Sequence, residues 1–373
     1  MMREKNISLG KITGIPINLD YSWFLILVLL TWMLAQSYFP VEFKNWSVVS
    51  YWIAGLITSI LFFISILLHE LGHSVVAKRY HVKVKRITLF IFGGVAEIAS
   101  EPPKSISEFW IAIAGPITSF LLAGIFYLLE RVATGNDYLV APFRYLAFIN
   151  FILAAFNLIP GFPLDGGRVL RSIVWAVTKN LKKATTIAAN VGRFFGFFFI
   201  MLGVFQIFQN NYLDGLWIAF IGWFLESAAV SQIQRQALDE LLFGHKVYEA
   251  TATNFSIVYT NSTIQEIIEN HFIAANRRNL FVKENDAITG FLTPEQINSV
   301  PPKERQNKTV KEVMISLKDI NSIDSESPLP DAIKSIDQND INAIPVTENG
   351  EYVGILDRDS ITKFIFSLHN LGH

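Results

Sequence analysis

The chain has 373 residues, 51% of them apolar, with a mean hydropathy of +0.36 and a formal net charge of −1. So small a net charge supplies no global field for nucleic acid or acidic substrates. The absence of cysteine excludes disulfides and thiolate metal sites, so any metal must be held by His, Asp or Glu. Long uncharged apolar runs crowd the first part of the chain, up to about Val230, and the remainder has the composition of an ordinary soluble domain.

Crossing the hydrocarbon core takes about 20 apolar residues in a helix. The first candidate runs from Tyr21 to about Gln36. Asn18 and Asp20 precede it and no small-residue cleavage site follows, so it reads as a retained membrane segment, not a removed signal peptide. The second runs from Tyr51 to Leu68 and continues as a more polar helix to about Lys78. The others span about Ile106–Leu129, Tyr145–Ile159, Ala188–Phe208 and Leu213–Val230. Any one alone could be a buried core helix; six in a row argue for a multi-pass α-helical membrane protein. The basic residues alternate across these spans. Arg3, Lys5 and Lys11 precede the first. Lys78, Arg79, Lys83, Lys85, Arg86 and Lys104 lie between the second and third, and Arg168, Arg171, Lys179, Lys182 and Lys183 between the fourth and fifth. By the positive-inside rule both termini and the tail are cytoplasmic. The expected division is a cytoplasmic N-terminal segment at 1–16, a membrane domain at 17–230, a polar helical connector at 231–246 and a tail domain at 247–373.

Between the second and third spans, Val82–Ala99 holds two short β-prone runs around Gly93-Gly94. This predicts either an amphipathic interface loop or a β-hairpin whose edge could hold an extended substrate.

Two motifs carry chemistry. The first is His69-Glu70-Leu71-Gly72-His73, at the end of an apolar run from Trp52 to Leu68. Spacing of i and i+4 puts both imidazoles on one helical face, which suits two ligands of one zinc ion. Glu70 then lies beside the metal, placed to take a proton from water. Ionisable groups are costly inside a bilayer, about 2.5–3.5 kcal/mol per charge on insertion scales. Snorkelling explains Lys78 and Arg79 but explains His-Glu-His poorly. The second motif is Asn157-Leu158-Ile159-Pro160-Gly161-Phe162-Pro163-Leu164-Asp165-Gly166-Gly167-Arg168. Its prolines and Gly161 must break the fourth helix. Asp165 is then expected on unwound chain, as the candidate third ligand, with Gly166 and Gly167 permitting close backbone approach; the bland reading is a cytoplasmic turn.

The pair of motifs, on separate membrane helices, resembles the site-2 protease family of intramembrane metalloproteases, over about Ile17 to Val230. Ala114-Gly115-Pro116 and Phe92-Gly93-Gly94 look like further family features. The resemblance implies that His69, His73 and Asp165 bind one Zn2+ and that Glu70 is the general base. It also implies that Asn157 helps bind substrate or the oxyanion, and that the substrate is a transmembrane protein. The expected location is a prokaryotic cell membrane, in contact with lipid. Helices one, five and six would be additions flanking the catalytic core.

The tail contains two similar blocks. Thr263 to Gly290 spans 27 residues and Pro328 to Gly354 spans 26, each reading as a helix, a strand, a turn and a strand. Ile344-Pro345-Val346 and Gly354-Ile355-Leu356 make the second block the stronger match to a CBS motif, and the tail looks like a tandem CBS pair of α/β class. Such pairs commonly bind adenine nucleotides. Asp359 falls where a ribose-binding carboxylate is often placed; in the first block Glu295 takes that place, beside Thr293. Asp357, where Thr or Ser is usual, would repel phosphate. A purely structural or dimerising pair is the alternative, with a homodimer formed through these domains. His81, His245, His271, His369 and His373 show no ligand-like spacing. For the whole chain the competing class is a transporter or channel with a regulatory CBS tail. A third reading, an idle membrane binding protein, fits poorly with intact His69, Glu70, His73 and Asp165.

Overall fold

Alternation of apolar residues at Ile15, Ile17 and Leu19 builds an element that the apolar runs do not announce. In the computed structural model, which describes residues 6–91, 93–98, 101–253, 256–273, 280–285, 287–317, 322–339 and 343–371, strands β1 (Asn6–Ile12) and β2 (Ile15–Asp20) form an antiparallel hairpin. Thr13 and Gly14, both at positive φ, make its two-residue turn. β2 pairs in parallel with β3 (Val84–Phe90), and β3 pairs antiparallel with β4 (Gly93–Ile98). The Val82–Ala99 hairpin is thus one half of a four-stranded sheet ordered β1-β2-β3-β4. β4 is an edge strand. Phe92 and Ala99 lie outside the described residues. Strand β2 runs across residue 16, where the sequence reading divides the N-terminal segment from the membrane domain.

The chain separates into two compact units, Met1–Gln236 and Ala237–His373. In the first, α1 (Ser22–Met33) passes through a π-helical turn at Leu34–Tyr38 into α2 (Phe39–Glu42), one continuous helical span of 21 residues. α3 (Val48–Arg79) has 32 residues; Ser47 caps its start by accepting the Ser50 N–H, and Lys78 and Arg79 oppose the dipole at its end. Its buried Phe63, Ile66 and Leu71 pack against Ile17, Leu19, Ile87 and Leu89 of the sheet. α4 (Ser105–Val132) and α5 (Asp137–Asn157) follow. Irregular chain at 158–164 leads into α6 (Asp165–Thr178), then α7 (Leu181–Phe208) and α8 (Tyr212–Leu242). Six helical spans among the described residues are long and apolar enough to cross a membrane: α1–α2, α3, α4, α5, α7 and α8. The polar stretch from Ser231 continues α8 without a break to Leu242. Large apolar residues such as Phe194, Phe197, Phe205, Trp217 and Trp223 face outward, while Ala188, Ala189 and Gly192 are buried. Apolar outside and small inside is the arrangement of helices solvated by lipid.

The second unit repeats one plan twice. α9 (Val247–Ala250) leads to β5 (Ser256–Tyr259) and α10 (Ile264–Ile267), then β6 (Leu280–Glu284), β7 (Ala287–Leu292), α11 (Pro294–Asn298), α12 (Val310–Val313) and β8 (Ile315–Ser316). β9 (Ile323–Asp324), α13 (Leu329–Asn339), β10 (Ala343–Glu348), β11 (Glu351–Asp357) and α14 (Arg358–Leu371) complete it. The sheets are β5-β6-β7-β8 and β11-β10-β9. In both, one strand pairs in parallel with the strand after its helix, which pairs antiparallel with the next. Phe281 and Phe291 of one block share a buried cluster with Ala343 and Ile355 of the other.

α7 and α8 approach through glycine. A Cβ at Gly203 would lie 2.5 Å from the Ala219 backbone nitrogen, and one at Gly222 would lie 2.6 Å from the Gly196 carbonyl oxygen. Gly203→Val or Gly222→Val is therefore expected to destabilise the full-length protein by about 1–3 kcal/mol, seen as a lowered unfolding midpoint in detergent.

Candidate metal centre

The site begins with the helical spacing of α3. His69 and His73, one turn apart and each only 4% exposed, bring their Nε2 atoms to 3.2 Å. Asp165 Oδ2 lies 3.2 Å from His69 Nε2 and 3.1 Å from His73 Nε2. The other ring nitrogens are both engaged on α4. His73 Nδ1 is 2.6 Å from the Ile111 carbonyl oxygen, and His69 Nδ1 is 2.9 Å from Ser119 Oγ. A carbonyl can only accept, so His73 carries a proton on Nδ1, and Nε2 is the nitrogen that can offer a lone pair to a metal. A serine hydroxyl can accept from His69 in the same way.

Three groups able to donate electron pairs thus converge, an arrangement that a cation among them would favour. Donor separations of 3.1–3.2 Å match the edge of a tetrahedron with bonds of about 2.0–2.1 Å, which is about 3.3 Å. Two imidazoles and one carboxylate suit zinc better than calcium or magnesium, which prefer oxygen ligands. Of the described residues, His69, His73 and Asp165 form a His/Asp/Glu group whose ligand atoms all lie within 4.8 Å of one another.

Asp165 requires a correction. It does not sit on unwound chain but opens α6, with extended Leu164 just before it. The irregular stretch ends at Leu164 because Pro163 fixes the backbone there and an acidic first residue is favoured by the helix dipole. Gly166 and Gly167 behave as expected: side chains there would run into the backbone of Leu158, Ile159 and Gly161. The same stretch is tied to α7, where the Phe162 N–H donates to the Ala188 carbonyl at 3.2 Å.

Glu70, half-buried, faces β4. A Cβ at Gly94 would lie 2.8 Å from Glu70 Cγ, so only glycine lets the strand approach. Gly93, at φ 124°, starts the strand. Asn157 is half-buried at the last position of α5, outside the hydrogen-bonded group of His69, His73 and Asp165. In the second unit, Thr293 is buried at the entry to α11, its N–H donating to Gln296 Oε1 at 3.2 Å. Asp359 is exposed in the first turn of α14, and Asp357 caps that helix by accepting the Ser360 N–H at 2.7 Å. Thr293 and Asp357 each stand three residues after the glycine of their block, Gly290 and Gly354, so these two are the equivalent positions. Asn279 and His373 lie outside the described residues.

Sequence reading missed Ser119 and Ile111. The signal for Ser119 was its position four residues after Gly115, hence on the same face of α4. Gly115 itself lies against both imidazoles, and a Cβ there would come 2.6 Å from His69 Nε2 and closer still to His73.

A helical membrane core with a buried His-Glu-x-x-His helix and an acidic third donor defines a membrane-embedded metallopeptidase. Comparison with known proteins agrees. Residues 57–136 and 130–203 match Peptidase family M50, and residues 310–367 match the CBS domain. A relative from Synechocystis sp., sll0528, bears a zinc metalloprotease name and is 36% identical over 366 residues, 96% of this chain and 95% of that protein. Rip3 of Mycobacterium tuberculosis, with a similar name, is 30% identical over 364 residues, 96% of this chain and 92% of its own length. The solved site-2 protease of Methanocaldococcus jannaschii is 32% identical, covering 61% of this chain and 95% of that one, with a TM-score of 0.42. The chain belongs to Peptidase family M50, the site-2 proteases, and is a multi-pass membrane zinc metalloprotease with a C-terminal CBS region.

Gly115→Ala removes no donor yet should displace both imidazoles. Purified Gly115→Ala protein is expected to retain well under half the zinc of the wild type by elemental analysis. Ser119→Ala should weaken zinc binding by about 10–100-fold, measured by chelator competition.

Proposed function

We propose that the protein is an intramembrane endopeptidase that hydrolyses peptide bonds of membrane-spanning protein substrates. The observation that carries this reading is the convergence of His69, His73 and Asp165 at 3.1–3.2 Å, with Glu70 between that group and an edge strand. In this reading His69 Nε2, His73 Nε2 and Asp165 Oδ2 hold one zinc ion. A zinc ion so held supplies Lewis acidity towards the scissile carbonyl and makes water a stronger acid. Glu70 takes the proton from the attacking water and delivers it to the leaving amine. Asn157 is assigned a hydrogen bond to substrate or to the negative charge developing on the carbonyl oxygen.

A helical substrate has its carbonyls already bonded, so it must unwind locally. Pairing with the free edge of β4, at Gly93 and Gly94, would offset the lost helical bonds. The sheet order, with β4 at an edge, supports this. The Lys and Arg pattern supports cytoplasmic termini, and a prokaryotic cell membrane is part of the same proposal. The division into an N-terminal segment 1–16, protease domain 17–230, connector 231–246 and CBS pair 247–373 belongs to the same proposal. The CBS pair binds an adenine nucleotide, with Asp359 on the ribose and Thr293 in the other block, adjusts substrate access, and offers a homodimer interface. A ligand can act this way only through different affinities for two states of the protein.

Glu70→Gln should abolish cleavage of co-expressed single-pass membrane proteins, by about 10²–10⁴-fold, while zinc stays bound; a transporter would have no proteolysis to lose. Full zinc occupancy in Asp165→Ala protein would show a different third ligand. Proline at Val95 or Glu97 is expected to impair cleavage with zinc retained, and unchanged cleavage would remove the β4 docking step. Addition of AMP or ATP at up to millimolar concentration to the full-length protein should change its cleavage rate; binding without a rate change would remove the coupling.

A further inference from the structure

One stripe of α4 touches both imidazoles. Ile111 accepts from His73, Gly115 lies beneath both rings and Ser119 meets His69. Glu108, three residues before Ile111, lies on the same stripe and is fully buried. A lone buried carboxylate is strongly unfavourable, and this one is paired across to α6, the helix that Asp165 opens. Arg171 Nε donates to Glu108 Oε1 at 2.6 Å, and a second guanidinium nitrogen, Nη2, reaches the same oxygen. The third nitrogen lies 3.4 Å from exposed Glu101, and the guanidinium sits 5.5 Å from the centre of the Phe162 ring, in the irregular stretch just before Asp165. Glu108 Oε2 has no hydrogen-bond partner among the described residues.

Buried ion pairs are often no more stabilising than apolar side chains of similar volume. An arginine fork, however, fixes both distance and rotation, which an apolar contact does not. α3 supplies two of the donors and is referenced to α4 through Ile111 and Ser119. α6 supplies the third and is referenced to the same stripe of α4 through Glu108.

We infer that the Glu108–Arg171 pair is a positioning device for the metal centre: it sets the depth and rotation of α6 so that Asp165 Oδ2 meets both Nε2 atoms. Glu108 and Arg171 touch neither substrate nor metal and act only through Asp165. The inference rests on His69, His73 and Asp165 being the zinc ligands.

The test uses full-length protein in detergent, loaded with zinc or with cobalt as a spectroscopic probe. Glu108→Gln keeps the shape and removes the charge. It should weaken zinc binding by about 10–100-fold, in the range of other outer-sphere partners, and change the visible absorption of the cobalt form. It should also lower kcat more than it changes KM. Arg171→Lys keeps the charge but loses the fork and should give an intermediate shift in both zinc affinity and spectrum. Glu108→Gln/Arg171→Lys should weaken zinc no more than the worse of the two single variants, because both act through one contact. The inference is overturned if Glu108→Gln and Arg171→Lys lower the unfolding midpoint yet bind zinc and cobalt like the wild type. Should Glu108→Gln fail to fold, Arg171→Lys alone decides between these outcomes. His69→Ala is the control: if it keeps its zinc, the ligand assignment has failed. If it loses zinc while the two variants bind normally, only the positioning role has failed.

Discussion

Bringing a carboxylate and two imidazole lone pairs to within 3.1–3.2 Å of one another, inside helices that face lipid, is the constraint on which the rest of the membrane unit depends. Such a group is strongly unfavourable in an apolar interior unless a cation neutralises it. Each donor must also be fixed from outside, because mobile ligands would lose the geometry that one ion demands. α4 meets the second need. It receives the outer nitrogen of each histidine, and it offers no side chain at Gly115 where the rings lie.

Close approach in this interior is achieved with small residues. The apolar surface of a membrane helix gains little by leaving lipid, so helices associate through tight packing and hydrogen bonds. Gly72 and Gly115 let α3 and α4 meet, and Gly161 meets Gly192 beside the Asp165 stretch. The Gly161-Phe162 stretch that leads into Asp165 is therefore held by α7. α7, one of the helices expected to flank the catalytic core, thus packs against that stretch.

The four-stranded sheet solves a different problem. Strands β1 and β2 complete what would otherwise be an isolated hairpin, which is at best marginally stable. With β3 thus supported, β4 can be left as an edge strand facing Glu70. An exposed edge is normally a liability; here it lies beside the residue that hydrolysis would need, and Gly94 is the concession that lets it approach. The second unit uses the same economy of repetition, with two half-modules sharing the cluster of Phe281, Phe291, Ala343 and Ile355.

Six apolar runs, His69 and His73 at i and i+4, the Asp165 motif and the repeated tail blocks were all legible in the sequence. Each is a local pattern: length, helical period or a short motif with its own chemistry. The sequence also placed Glu70 beside its histidine and separated the tail from the membrane unit. What it did not reveal depends on contacts between distant residues. The β1–β2 strands were hidden because their alternation is short and lies in a polar segment. Asp165 was expected on unwound chain because Pro160 and Pro163 are visible locally, whereas the start of α6 at Asp165 follows from its packing. Ser119, the Ile111 carbonyl and the Glu108–Arg171 pair gain meaning only when α4 is laid against α3 and α6, since hydrogen bonds 38 to 63 residues apart in the chain leave no local pattern. The sequence by itself thus determined which side chains could hold a metal; the tertiary structure alone decided which backbone and side-chain groups orient them, because orientation is set by neighbours in space.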